Sequence, residues 1–137
     1  MKRVTGIGGI FFKCKDPQLT KSWYEKHLDI ASDQYGTSFE WRKSDQPEEK
    51  GFTAWSPMKA DTSYFSPSEH SFMINYRVEN LDTLIPILKK EGVKVIGEIE
   101  SFEYGKFAHI MDPDGQKIEL WEPNDNAYDQ MLTVRMK

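Results

Sequence analysis

The chain has 137 residues, 38% hydrophobic and 29% charged, a size and mixture that fit one ordinary globular domain. With 18 basic against 22 acidic side chains and a net charge of -4, it lacks the electrostatic footprint of a protein that binds nucleic acid or an anionic membrane. No apolar run approaches the ~20 residues that cross a bilayer, no signal-peptide stretch is present, and the single cysteine, Cys14, forms no internal disulfide, so a cytoplasmic protein is expected.

Taken in chain order, Gly9 to Lys15 alternates as a strand, and Asp16 and Pro17 then supply an N-cap and a favoured first helical residue. Leu19, Trp23, Tyr24 and Leu28 follow at helical spacing, which predicts a helix to about Leu28. Strands are predicted near Ser38 to Arg42 and Gly51 to Trp55, joined by a solvated, charge-rich loop from Lys43 to Lys50. Phe72 to Val78 alternates again, Asn80 caps, and Leu81, Leu84, Ile85 and Leu88 give a helix that Gly92 ends. Pro86 lacks the N–H for a bond to Asp82, which predicts a kink or an irregular first turn. Three strands close the pattern, Val93 to Glu98, Lys106 to Met111 and Gln116 to Trp121, the last two joined by the turn Asp112-Pro113-Asp114-Gly115. The tail from Asn124 to Lys137 is left open between covering the cleft, crossing to a partner and fraying.

A shift of 64 residues superposes Ile10 on Ile74, Phe12 on Tyr76, Cys14 on Val78, Asp16 on Asn80 and Tyr24 on Leu88. The chain therefore reads as a duplicated strand, helix, three-strand unit: module one about 4–68 and module two about 69–123, in one domain over 1–137 with a tail over 124–137. The third strand after the helix of module one is not placed.

The opening around Phe11 to Tyr24 and the closing run from Phe107 to Pro123, taken with the duplication, resemble the vicinal oxygen chelate superfamily of glyoxalases, bleomycin-resistance proteins and dioxygenases. The resemblance implies an α+β fold, two pseudo-symmetric βαβββ modules forming a curved mixed sheet around a cleft, and a homodimer. It also implies up to four metal-ligand positions, which fall here on Gly9, Trp55, Met73 and Glu119. Only Glu119 suits a hard divalent ion, so no cofactor is expected, and a divalent metal is kept as the alternative. A register change in module one would bring Glu40 in place of Trp55.

Alternation turns Ile10, Phe12 and Cys14, like Ile74, Tyr76 and Val78, toward the helices. Phe11, Lys13, Thr53, Trp55, Met73, Asn75, Arg77, Phe107, His109, Met111, Lys117, Glu119 and Trp121 then face the cleft. His109 and Glu119, on adjacent strands, are read as an acid/base pair, against a hydrogen-bonded core histidine and a carboxylate paired with Lys117 or Arg77. Lys13 and Arg77, equivalent in the two modules, are read as anion-recognising cations, against rim charges. Trp41, Trp55, Tyr64, Phe65, Tyr104 and Trp121 stand as stacking surfaces, against plain core. The ligand-contact set is Phe11, Lys13, Trp41, Trp55, Met73, Asn75, Arg77, Phe107 and Trp121. The function expected is a small organic ligand, anionic or aromatic, held without metal. The alternative is a divalent-metal lyase or isomerase resembling lactoylglutathione lyase, or a dioxygenase, using Glu119; a third is a protein-interaction module with a filled cleft.

Overall fold

Asp16 is extended (φ -138°, ψ 100°), and its carboxylate accepts from the backbone N–H groups of Gln18 and Leu19. Helix α1 (Pro17–Leu28) therefore starts where the sequence places it, and ends at Asp29, which adopts the left-handed φ of 58°. Asn80 caps α2 (Leu81–Lys90) in the same way through Thr83 N–H, and α2 continues through Pro86. The computed structural model describes residues 2–135; the ends of the expected domain and tail, residue 1 and residues 136–137, lie outside the described residues.

Seven strands, β1 (Val4–Cys14), β2 (Thr37–Arg42), β3 (Lys50–Lys59), β4 (Phe72–Val78), β5 (Val95–Phe102), β6 (Gly105–Met111) and β7 (Lys117–Pro123), form one mixed sheet in the order β2-β3-β1-β4-β7-β6-β5. The expected doubling is visible in the pairing. β1 runs parallel to β3, β4 runs parallel to β7, β2 and β6 pair antiparallel with β3 and β7, and β1 meets β4 antiparallel at the centre. The α+β fold with two related modules is present, with one difference. Among the described residues, module one has no strand equivalent to β5. After Asp29 the chain makes a tight Asp33–Gly36 bridge, with Gly36 at φ +114° and no room for a Cβ, which would lie 2.1 Å from the Trp55 carbonyl oxygen.

Helices α1 and α2 lie on one face of the sheet, but unequally. Leu81, Leu84, Ile85 and Leu88 of α2 are buried against Val78, Ala108 and Leu120, each such side chain stabilising the fold by about 1.5–3 kcal/mol. α1 buries no residue, and Leu19 and Trp23 stay exposed. The opposite, inner face is covered by the 60–71 connection, whose Phe65 is fully buried, and by a third helix, α3 (Asp125–Arg135). The tail thus covers part of the inner face. Asn124 caps α3 through Ala127 N–H, and Tyr128 packs with Phe52 and Trp121.

Candidate functional site

The short turn after β6, in which Asp112 Oδ1 accepts from Asp114 and Gln116 N–H and Gly115 takes φ +79°, fixes the β6/β7 register. That register sets His109 beside Glu119, and the β4/β7 register sets Asn75 on the other side of Glu119. Three neighbouring strands therefore present one polar row to the inner face. Glu119, 2% exposed, accepts from His109 Nε2 at 2.8 Å, from Asn75 Nδ2 at 2.7 Å and from the Tyr64 hydroxyl. Three donors meet the needs of a buried carboxylate.

Tyr64 arrives on the 60–71 connection, and Lys117 Nζ holds its carbonyl at 2.8 Å. Burial, reinforced by the Glu119 carboxylate, pushes the Tyr64 hydroxyl well above the ordinary tyrosine value, so it stays a donor. Burial lowers Lys117 below the ordinary lysine value, against the pull of Glu119 and Glu100. With Glu119 as acceptor, the hydrogen-bond network assigns the His109 ring proton to Nε2 and leaves Nδ1 with its lone pair. His109 lines an open cavity of about 510 Å³ together with Tyr64, Ile96, Gly97, Glu98, Glu100 and Lys117. This cavity exists because the pairing of β5 with β6 breaks between Ile96 and Glu100, where Gly97 has φ +69°.

A second row sits two residues along the same strands. Arg77, Trp121 and Phe107 are register partners, with the Phe107 and Trp121 rings stacked at 5.8 Å. Arg77 is 2% exposed; its terminal nitrogens donate to Asp125 of α3 at 2.9 and 2.6 Å, and its guanidinium lies 5.0 Å from the Trp41 ring and 5.4 Å from the Trp121 ring. Trp41 is held by Thr53, whose hydroxyl accepts from Trp41 Nε1 and donates to the Ile7 carbonyl.

The expected residues thus divide. His109, Glu119 and Asn75 meet, joined by Tyr64 and Lys117. Arg77, Trp41, Trp121 and Phe107 meet separately, and Arg77 and Trp121 contact α3 through Asp125 and Tyr128. Met73 is buried, Phe11 lies against Gly9, and Lys13 sits 5.4 Å over the Phe65 ring, apart from Arg77. Trp55 corrects the expectation: it packs on the helix side, 5.5 Å from Phe12 and 5.0 Å from Tyr24. The reason is register. Ile10 pairs with Trp55 as Ile74 pairs with Ile118, so the shift between modules falls from 64 to 63 residues across the last strand. Ser56, not Trp55, is the counterpart of Glu119, and its hydroxyl is spent on the Tyr35 carbonyl.

Two features were not among the expectations. One is the Tyr64 hydroxyl as a donor to Glu119, which depends on a long connection with no pattern. The other is α3, for which a signal existed: Tyr128, Met131, Leu132 and Arg135 fall at i, i+3, i+4 and i+7 behind the Asn124 cap. The Gly6-Ile7-Gly8-Gly9 run also gains a reason. A Cβ on Gly8 would lie 2.2 Å from Asn75 Oδ1, so glycine there leaves Asn75 free to hold Glu119.

The donor set does not fit a divalent metal. Gly9 has no side chain, Ser56 is engaged, Met73 is a thioether, and both Glu119 oxygens already accept hydrogen bonds. Among the described residues no three His, Cys, Asp or Glu side chains form a group that could hold a metal ion.

A doubled strand-helix-strand unit whose open sheet carries a polar row on its inner face defines a structural class, and the sequence supplies the family. Residues 6–120 match the Glyoxalase/Bleomycin resistance protein/Dioxygenase superfamily, and the chain belongs to it. Similar solved structures include methylmalonyl-CoA epimerase from Mycobacterium tuberculosis, 18% identical with a TM-score of 0.62 over 94% of this chain and 95% of that one. A substituted form of the methylmalonyl-CoA epimerase of Streptomyces coelicolor, in complex with 2-nitronate-propionyl-CoA, is 15% identical with a TM-score of 0.65 over 88% and 99%. A superfamily member from Vibrio splendidus 12B01 is 11% identical with a TM-score of 0.54 over 85% and 97%. No curated protein matches the chain. None of the described helices is long and apolar enough to cross a membrane.

Proposed function

We propose that the chain acts on a small organic molecule without a metal, with His109 as the proton-transfer residue and Glu119 as the group that orients it. One observation carries this reading: Glu119 holds His109 Nε2, so Nδ1 is the ring nitrogen left for chemistry, and His109 lines an open cavity. His109 Nδ1 takes a proton from a bound carbon or oxygen acid and returns it, and the resulting imidazolium is stabilised by the buried carboxylate. Tyr64 and Asn75 fix that carboxylate and are positioning residues. The likeness in fold to methylmalonyl-CoA epimerases supports testing carbon acids beside a carbonyl first. The cavity lining of Glu98, Glu100 and Lys117 favours a ligand without net negative charge at this end. A homodimer belongs to the same proposal, supported by the exposed Leu19 and Trp23 of α1.

Elemental analysis after incubation with Ni, Zn, Mn and Fe(II) and desalting tests the metal-free claim. Less than stoichiometric metal is expected; one equivalent would replace this reading with the metal-dependent lyase or dioxygenase. A screen of small carbonyl compounds by protein-observed NMR then tests the site. Compounds that shift His109 in the unaltered chain should lose binding or turnover in His109→Ala and Glu119→Gln, and unchanged behaviour in both variants would contradict the assignment.

A further inference from the structure

We propose that the Arg77 end of the inner face is a binding site for a small arylalkanoic carboxylate, and that α3 occupies it as an internal stand-in. The proposal concerns the other row of the face and stands or fails without the His109 reading.

Arg77 is almost wholly buried, yet its Nε has no hydrogen-bond partner, and the residue lines a cavity of about 700 Å³. A guanidinium lying against the rings of Trp41 and Trp121 and pointing its terminal nitrogens at one carboxylate has the make-up of an anion receptor. Lys43 Nζ stands 3.4 Å from the same Asp125 carboxylate, a second cation on the same anion. One helical turn further, Tyr128 places its ring among Phe52, Trp121 and Tyr104, with centroids at 5.3, 5.1 and 6.4 Å. Asp125 and Tyr128 thus offer, three residues apart on one side of a helix, the two groups that an arylalkanoic acid carries in one small molecule.

The stand-in is attached in a way that lets it leave. α3 follows β7 through Asn124 alone, so it can swing out without disturbing a sheet hydrogen bond of β7. Beyond the site it is held by the Lys50–Asp129 pair, a two-pronged Arg135–Asp33 pair, the Tyr128–Ser38 hydrogen bond and the packing of Met131 and Leu132, so the form in which it has left is a minor one. A ligand whose carboxylate replaces Asp125 keeps Arg77 and Lys43 paired, and its ring keeps the aromatic box filled. The binding-competent form is the fraction of molecules in which α3 has moved, so α3 lowers the apparent affinity by that fraction.

The test is isothermal titration of 3-(4-hydroxyphenyl)propionate, with 3-(4-hydroxyphenyl)propionamide as its uncharged control, into the full chain and into Asp125→Asn/Tyr128→Ala. The doubly substituted chain is expected to bind the acid at least about tenfold tighter than the unaltered chain. The amide should gain nothing, and adding Arg77→Met should remove the gain. Hydrogen exchange in the unaltered chain gives a readout that needs no variant to fold: α3 amides should exchange faster with millimolar acid present. Unmoved α3 amides overturn the proposal. So does a gain shared by the amide, a gain that survives Arg77→Met, or a folded double variant that binds no tighter.

Discussion

The two polar rows of the inner face stand two residues apart on the same three strands, and they solve the same physical problem differently. At Asn75, Glu119 and His109 a buried carboxylate is satisfied by groups of the sheet and of the connection packed on it, and a cavity remains beside the histidine. At Arg77, Trp121 and Phe107 a buried cation is satisfied from outside the sheet, by a carboxylate on the last helix. The first arrangement is fixed by strand register, which cannot slip without moving every side chain on the face. The second depends on a terminal helix held by Tyr128, Met131 and Leu132, by the Tyr128–Ser38 hydrogen bond and by a few ion pairs. A charge neutralised within the sheet is part of the global fold; one neutralised by a terminal helix is subject to local opening.

The largest effect that separates the rows is expected for Glu119→Leu. It strands the donors of His109, Asn75 and Tyr64 in the interior and should cost about 3–5 kcal/mol in urea unfolding. A loss below about 1 kcal/mol, the size of an ordinary surface pair, would show that the first row is not built into the fold. Gly8→Ala should act on the same row from the opposite strand, because its methyl group collides with Asn75 Oδ1. A cost of about 1–3 kcal/mol is expected, together with a shifted Asn75 side-chain amide in NMR spectra. Asp125→Asn should cost less, about 1–2 kcal/mol, and should raise hydrogen exchange in α3 while leaving β4 and β7 protected. Equal loosening of sheet and helix would erase the distinction between the rows.

The smallest effect is one of pH. Arg135 holds the Asp33 carboxyl below its ordinary value of 3.8. A carboxyl depressed in the folded state contributes its stability above the unfolded value and loses it as pH falls through the lower folded value. The Asp33 clamp on α3 is therefore complete at neutral pH and is lost only below about pH 3.8, with Asp33→Asn abolishing that part of the pH dependence. Hydrogen exchange of the last turn of α3 against pH, in both chains, measures it.

Legibility in the sequence followed the range of the contacts. Helices α1 and α2 were readable because Asp16 and Asn80 cap them locally, and β4 because its alternation runs from Phe72 to Val78 without a break. The His109–Glu119 contact was readable because a short turn fixes the register between their strands. Trp55 was misplaced because the modules differ by one residue before β3, which reverses the face of every side chain after it. Tyr64 meets Glu119 across 55 residues of sequence, and α3 meets Arg77 across 48 and Ser38 across 90, and no local pattern announces such contacts. The aromatic surplus was real, but at the Arg77 end it encloses Tyr128.

The central claim is that Glu119 fixes the ring of His109, a residue of the cavity wall, and leaves Nδ1 with its lone pair. Long-range proton–nitrogen NMR of the His109 ring at about pH 8 tests it directly, since each tautomer of an uncharged imidazole has its own cross-peak pattern. The expected result is a proton on Nε2 and a bare Nδ1 in the unaltered chain, with the pattern averaging between tautomers in Glu119→Gln. A proton on Nδ1, or the same pattern in both chains, would contradict the account.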